Sequence, residues 1–343
     1  MKFPRFSIIV PLYNKGHIVS RTIESALAQT FNDFEILVIN DGSTDNSEAV
    51  VRSFVDPRIK LITKENGGEG SARNFGIKMA QAEYVSLLDA DDIWHPDYLA
   101  SMDDLIKLYP NMGIYCSAMI AIYGDGTKII RTLREYKKEK YKKVEDYFDA
   151  AREGSFMYSS TITIPKKIFA EVGEFEPKVK MGTDTDMWAR ILLNYDMAYC
   201  TEPLVDYMND IGGQATADQS LENFPMNKPI YITFNRLYTQ GKFPPRKELS
   251  MMKYIDYVFK KDAALLLFMG GNKRFHEFAI SCHAEILSPF YYKISKSRLL
   301  TWFLSKWVYI KVVIASKTLH KKILCRKTRV LIGRRNLSIY IYR

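Results

Sequence analysis

Four short apolar runs, Phe6–Pro11, Phe34–Asn40, Arg58–Thr63 and Tyr84–Leu88, punctuate the first ninety residues, with segments of helical spacing between them. His17–Gln29 sets Ile18, Ile23, Ala26 and Leu27 at helical intervals. The segment after Gly67-Gly68-Glu69-Gly70 sets Ala72, Phe75, Met79 and Ala80 on one side of a helix. Strands that alternate with helices pair in parallel through right-handed crossovers. The pattern therefore predicts a parallel sheet covered by helices. Ser43 or Thr44 is placed to cap the helix after the second run, with Asp45 in its first turn.

The ends of these runs carry the chemistry. The fourth closes in Leu88-Asp89-Ala90-Asp91-Asp92, three carboxylates within four positions. Open α/β sheets bind ligands at the carboxyl ends of their strands. Carboxylates this close repel one another unless a cation neutralises them. Hard oxygen donors of this kind suit Mg²⁺ or Mn²⁺, above all when the ion also holds a substrate phosphate. A solvated acidic turn would show the same residues, so Asp-x-Asp alone decides little. Its company is more specific: Val10-Pro11-Leu12-Tyr13-Asn14 after the first run, Asn40-Asp41-Gly42-Ser43 after the second, and Gly70-Ser71-Ala72-Arg73-Asn74 opening the third helix.

In order and spacing these four segments resemble the family 2 glycosyltransferases. The resemblance is dense over residues 6–100 and looser to about residue 210. It implies a GT-A fold, a Rossmann-like, mostly parallel sheet flanked by helices, here with a helical C-terminal extension. It also implies roles: Asp41 accepts the imide N–H of uracil, Pro11 and Tyr13 line the base pocket, and Arg73 helps hold the nucleotide. Asp89 binds a ribose hydroxyl, and Asp91 ligates an Mn²⁺ or Mg²⁺ ion on the diphosphate. Chemistry agrees, since a carboxylate reads an N–H through a charge-assisted hydrogen bond and a divalent cation stabilises a departing diphosphate. Gly182-Thr183-Asp184-Thr185-Asp186-Met187-Trp188-Ala189-Arg190 resembles the family's Gly-Glu-Asp segment, with Thr183 where Glu is usual. Asp184 falls on the catalytic base, and Asp186, two residues on, competes for the role. Asp92 reads as a structural group, His95 as a surface residue, and Trp188 and Arg190 as packing and ion-pair residues.

Past residue 110 the alternation fades. Gly113–Tyr123 and Lys128–Thr132 read as a hairpin about Gly124-Asp125-Gly126, Arg134–Lys143 as a solvated helix or loop, Ser159–Pro165 as a strand and Asp184–Leu193 as a helix. Later signals are mostly helical. The expected divisions are 1–110 for nucleotide-sugar binding, 111–215 for acceptor and catalysis, 216–290 for a helical extension and 291–343 for a basic tail. Cys116, Cys200, Cys282 and Cys325 stand too far apart for a zinc or disulfide pattern. With no apolar leader ahead of the first run, a cytoplasmic protein is expected.

The net charge of +10 is concentrated in the tail. Residues 286–343 hold 14 of the 49 Lys and Arg and none of the 39 Asp and Glu, so the rest of the chain is mildly acidic. Leu299–Ser316 is apolar and aromatic but contains Lys306 and Lys311. Each would cost about 2.5–3.5 kcal/mol at a bilayer centre. The tail therefore reads as an interfacial segment, with Trp302, Phe303, Trp307 and Tyr309 among head groups on the inner face of the plasma membrane. A helix packed on the protein is the competing reading. Nucleic acid is not expected, because no recognition motif accompanies the charge.

The reading is thus an inverting, metal-dependent transferase. It uses a UDP-sugar on a glycan or lipid-linked acceptor, in the setting of bacterial surface polysaccharide synthesis. The Gln-x-x-Arg-Trp motif of the family's processive members is missing. Gln214, after Gly212-Gly213, is a weak candidate for a donor loop. The alternatives are a catalytically silent binding module and a sugar nucleotidyltransferase. The latter lacks its Gly-rich basic loop, since Leu12-Tyr13-Asn14-Lys15-Gly16 stands there. A dehydrogenase is disfavoured for want of Gly-x-Gly-x-x-Gly after the first run.

Overall fold

The computed structural model describes residues 3–133, 139–152, 154–177, 179, 181–209, 228–268, 274–282, 284, 289–297, 300–301, 304–306, 308, 327–332 and 335–340. The chain divides into two compact units, Met1–Ala151 with Ser155–Gln214, and Arg152–Gly154 with Ala215–Arg343.

In the first unit β1 (Phe6–Leu12), α1 (Val19–Leu27), β2 (Phe34–Asn40), α2 (Ser47–Arg52), β3 (Ile59–Thr63), α3 (Glu69–Met79) and β4 (Tyr84–Leu87) follow the expected alternation. Then come β5 (Ile93–Trp94), α4 (Tyr98–Leu108), β6 (Ile114–Ile122), β7 (Lys128–Arg131), β8 (Tyr141–Val144), α5 (Tyr147–Ala151), β9 (Ile162–Pro165), α6 (Lys167–Val172), α7 (Thr183–Asn194) and β10 (Met197–Met208). One sheet runs β3-β2-β1-β4-β9-β6-β10-β5, with β7 on β6 and β8 on β10. Strands β3, β2, β1 and β4 are parallel, as is β10 to β6. Strand β9 enters antiparallel to both β4 and β6 and joins the two parallel portions.

Strand β2 is buried at all seven positions. Helices cover both faces of a parallel sheet, so its strands read as continuous apolar runs. Phe6, Ile8 and Val10 pack with Val19, Ile23 and Ala26 of α1. The opposite face meets α3 at Gly76, where an added Cβ would lie 2.6 Å from Cγ2 of Ile9 and 3.2 Å from Cγ1 of Ile39. Glycine lets the helix axis approach the sheet this closely, at a helix-propensity cost of about 1 kcal/mol. The buried face of α3 therefore runs through Ala72, Arg73, Gly76 and Ile77, while Met79, expected inside, is 48% exposed.

Two further expectations change. Tyr141–Val144, read as part of a solvated segment, is a strand paired with β10. Residues 134–138 lie outside the described residues. Ser159–Thr161 is a 3₁₀ turn, and the strand proper begins at Ile162.

The second unit is mostly helical: Pro229–Thr239, Glu248–Phe268, Phe275–Ser281 and Pro289–Ser295, plus an antiparallel pair, Lys327–Ile332 with Arg335–Tyr340. Its core includes Phe234, Phe259 and Phe278, the last two stacked at 5.4 Å. Asp262 accepts hydrogen bonds from Lys228 Nζ at 2.7 Å and the Tyr231 hydroxyl at 2.8 Å. Gln214, Trp302, Phe303, Trp307, Tyr309 and Lys311 lie outside the described residues. Among the described residues no helix is long and apolar enough to cross a membrane.

Candidate active site

Strand β1 lies between β2 and β4, so the three carboxyl ends share one edge of the sheet. The loop after β1 is fastened to the loop after β2. Ser43 Oγ accepts the Asn14 N–H at 3.0 Å, Asn14 Oδ1 accepts the Thr44 N–H at 2.8 Å, and Asp45 Oδ2 accepts the Gly16 N–H at 3.0 Å. Helix α2 accordingly starts at Ser47, whose N–H donates to Asp45 Oδ1 at 2.9 Å. Ser43 and Thr44, expected to cap it, join the two loops instead. Tyr13 stands at the mouth, 49% exposed, and Pro11 pairs with Ile39 in the sheet below.

Asp41 follows β2 directly and is almost wholly buried. Its carboxylate accepts the Gly68 N–H at 2.8 Å, the Gly67 N–H at 3.0 Å and a hydrogen bond from Lys64 Nζ. Gly68, at φ +83°, holds a conformation that side chains disfavour and that lets two successive amides face one carboxylate. Asp41 thus shapes the turn into α3. Lys64 is its one partner free to swing on a flexible stem.

Across the edge, the Arg73 guanidinium is buried and bridges Glu69 to Asp89, its Nη2 lying 2.8 Å from Asp89 Oδ1. Among the described residues Arg73 Nε has no hydrogen-bond partner. Asp91 Oδ2 accepts from Lys15 Nζ at 2.7 Å. Asp92 turns inward, fully buried, accepting from Ser160 Oγ and from the Met208 N–H at 3.0 Å. Ser160 Oγ also accepts the Asp89 N–H at 3.0 Å, so one hydroxyl sets the acidic turn. The structural reading of Asp92 matches this placement. His95 pairs with Asp206 at 3.0 Å, and Asp206 pushes its pKa up.

Asp184 and Asp186 both sit in the first turn of α7, where the helix dipole favours carboxylates. Asp186 is buried and held by Arg190 Nε at 2.9 Å, and Arg190 also donates to the carbonyls of Val172 and Glu174. Asp184 is half-buried and accepts the N–H of Thr185 at 2.7 Å. It lies near enough to Glu69 and Arg73 for its charge to push both of their pKa values up. The connection is made by Asn74: its Nδ2 donates to the Phe175 carbonyl and its Oδ1 accepts the Phe175 N–H, both at 2.8 Å and buried. This two-bond clamp ties α3 to the segment that leads into α7. Trp188 packs edge-on against Phe175 at 5.9 Å.

The carboxylates outnumber the cations here. Desolvation raises the pKa of Asp91 against the pull of Lys15, and desolvation with Asp89 and Asp91 raises that of Asp92. Arg73 pulls Glu69 down, but desolvation together with Asp89, Asp184 and Asp91 prevails and lifts its pKa to about 7. Such uncompensated negative charge suits a divalent cation. Among the described residues no group of three or more His, Cys, Asp or Glu gathers as a metal site. Asp91 fits as a lone carboxylate ligand, with a substrate diphosphate supplying further oxygens, the common habit of Mg²⁺ sites.

The Glu69 shift has a testable sign. Its folded pKa of about 7 lies above its ordinary 4.5. Between those values the folded state holds a proton that the unfolded state lacks. The associated stability is full below pH 4.5 and falls as pH rises through 7. Its side chain is 44% exposed, so solvent screens much of the effect. Glu69→Gln is expected to flatten the decline of the urea midpoint between pH 5 and 7.5; equal slopes in both proteins would refute this.

Two participants carried no readable signal, Lys15 in the segment after the first run and Ser160 within the expected strand. Glu69 carried a hint, as a charge one turn before Arg73.

Comparisons with known proteins bear on the family and the fold. The model of "Glycosyl transferase family 2" matches residues 7–173. An uncharacterized glycosyltransferase of Rickettsia typhi is 29% identical over 282 residues, 81% of this chain and 84% of that protein. The Staphylococcus aureus TarS 1–349 structure with UDP-GlcNAc aligns with a TM-score of 0.58 and 18% identity, over 85% of this chain and 90% of that one. A Pyrobaculum calidifontis mannosyltransferase solved with GDP-Man and Mn²⁺ aligns with a TM-score of 0.54 and 18% identity, over 90% of this chain and 88% of that one. At these identities the solved structures speak to the fold, which is GT-A-like.

Proposed function

We propose that this chain, which belongs to glycosyl transferase family 2, transfers a sugar from a UDP-sugar to a hydroxyl of a glycan or lipid-linked acceptor, with inversion. Tyr13 and Pro11 bound the base, and Asp41 accepts the imide N–H once Lys64 turns aside. Arg73 holds Asp89 in place, and Asp89 accepts from a ribose hydroxyl. Asp91 would hold Mn²⁺ or Mg²⁺, which when bound neutralises charge on the departing diphosphate. Asp184 takes the proton of the acceptor hydroxyl as its oxygen bonds to the anomeric carbon and the bond to UDP breaks. The acidic body and basic tail suit an acceptor at an anionic membrane surface.

The observation that carries this reading is the common edge. Asp41 follows β2, Asp89 and Asp91 follow β4, the two parallel strands flank β1, and the Asn74–Phe175 clamp ties α3 to the segment leading into α7, which carries Asp184. The solved mannosyltransferase carries GDP-Man, so guanosine donors are the rival. A thermal-shift panel of UDP- and GDP-sugars with Mn²⁺ decides. UDP at 100 times Kd is expected to add about 2.7 kcal/mol of stability. A response to guanosine alone would reassign the donor, and no response to any nucleotide would overturn the proposal.

A further inference from the structure

We propose that Lys15 holds the cation's place on Asp91, so that a divalent cation and the Lys15 ammonium exchange at that carboxylate and the displaced ammonium moves onto the diphosphate. This rests on the function proposed above and adds to it a residue that couples nucleotide to metal.

The Lys15–Asp91 pair is 2.7 Å long, and the side chains are only 12% and 15% exposed. The main chain of Lys15 is pinned. Its N–H donates to Ser47 Oγ at 2.9 Å, and its carbonyl accepts the N–H groups of Ile18 at 3.0 Å and Val19 at 2.9 Å. Only its four-carbon stem can move. Arg73, which shares the acidic turn, is committed to Glu69 and Asp89, and Lys64 to Asp41. A cation landing on Asp91 therefore competes with a largely desolvated ion pair. Metal alone offers the expelled ammonium no new anion, and leaving a charge unpaired in such a site is costly. Metal arriving with a nucleoside diphosphate brings phosphate oxygens within the same crevice, and a lysine ammonium binds phosphate well as a point charge. The exchange then conserves ion pairs, so each ligand is expected to raise the affinity of the other. Linkage requires the two enhancements to be equal.

The test is Mn²⁺ binding to the full chain at pH 8, by calorimetry and by the EPR signal of free Mn²⁺, with and without UDP. The wild-type protein is expected to bind Mn²⁺ weakly alone and about tenfold or more tighter with UDP. Lys15→Met is expected to tighten Mn²⁺ alone about tenfold and to lose most of the UDP enhancement. Lys15→Arg, which keeps the charge, is expected to retain the enhancement and guards against a folding artefact. Adding Asp91→Asn to Lys15→Met is expected to abolish the gain; a gain that survives lies elsewhere and overturns the proposal. If wild type binds UDP with Mn²⁺ but Lys15→Met shows no tighter Mn²⁺ binding, the exchange is wrong and the functional reading stands. If neither protein binds UDP with Mn²⁺, both fall.

Discussion

Asp184→Asn is expected to lower kcat by about 10²–10⁴-fold, the range for a lost general base, while UDP affinity stays within about twofold. The amide keeps the size of the carboxylate and can still accept from the Thr185 N–H, so the start of α7 should hold. What it loses is the capacity to take a proton. Asp186→Asn supplies the contrast. Asp186 is buried against Arg190, which also closes the carbonyls of Val172 and Glu174. Breaking that pair is expected to cost about 2–4 kcal/mol of stability with turnover of the folded enzyme largely kept. Steady-state kinetics, UDP calorimetry and urea melts on both variants separate the roles. Full turnover in Asp184→Asn would remove it as base. No turnover even in wild type, with UDP still bound, would favour the silent binding module instead.

Arg73→Met is expected to destabilise the first unit by about 3 kcal/mol near pH 8, the cost of leaving carboxylates without their buried cation. The methionine fills much of the stem volume, so the loss is electrostatic rather than a cavity. That makes the effect depend on pH. At pH 8 Glu69 and Asp89 lose a shared guanidinium, whereas near pH 5 Glu69, with a folded pKa of about 7 beside Arg73, carries a proton and less charge is stranded. The penalty should therefore shrink toward acid. Urea unfolding at pH 5 and pH 8 measures it. An equal loss at both values would show that Arg73 acts through packing on Phe175, whose ring centroid lies 5.6 Å from the guanidinium carbon. UDP affinity should fall as well, since Asp89 is no longer held.

Much of the fold was legible because its signals are local. Phe34–Asn40 matched a strand to the residue, as burial on both faces leaves the apolar stretch Ile36–Ile39 at its centre. Where signals were weak, structure and expectation part. Tyr141–Val144 is a Lys-containing strand, stabilised by pairing with β10 more than by its own propensity. On α3, helical periodicity placed Met79 inside, but the close contact at Gly76 rotates the buried face toward Arg73 and Ile77. Asp45 acts at the start of α2 as its chemistry suggested, yet Ser43 and Thr44 serve the neighbouring loop. Nothing local distinguishes one partner from the other.

By itself the sequence determined that the first half forms a parallel sheet covered by helices and that Asp41, Asp89 and Asp91 stand at the carboxyl ends of its strands, whereas the order β3-β2-β1-β4 is a finding of the structure. The first two follow from short-range periodicity and from polar residues at strand ends. Only the tertiary structure decided which carboxylates are spent on architecture and which stay available: Asp92 on Ser160, 68 residues away, Asp186 on Arg190, Asp91 on Lys15, 76 residues away, with Asp184 set beside them through the Asn74–Phe175 clamp, 101 residues apart. A side chain's charge and availability depend on whatever groups fold against it. That choice of partners is made in space, where separation along the chain leaves no pattern to read.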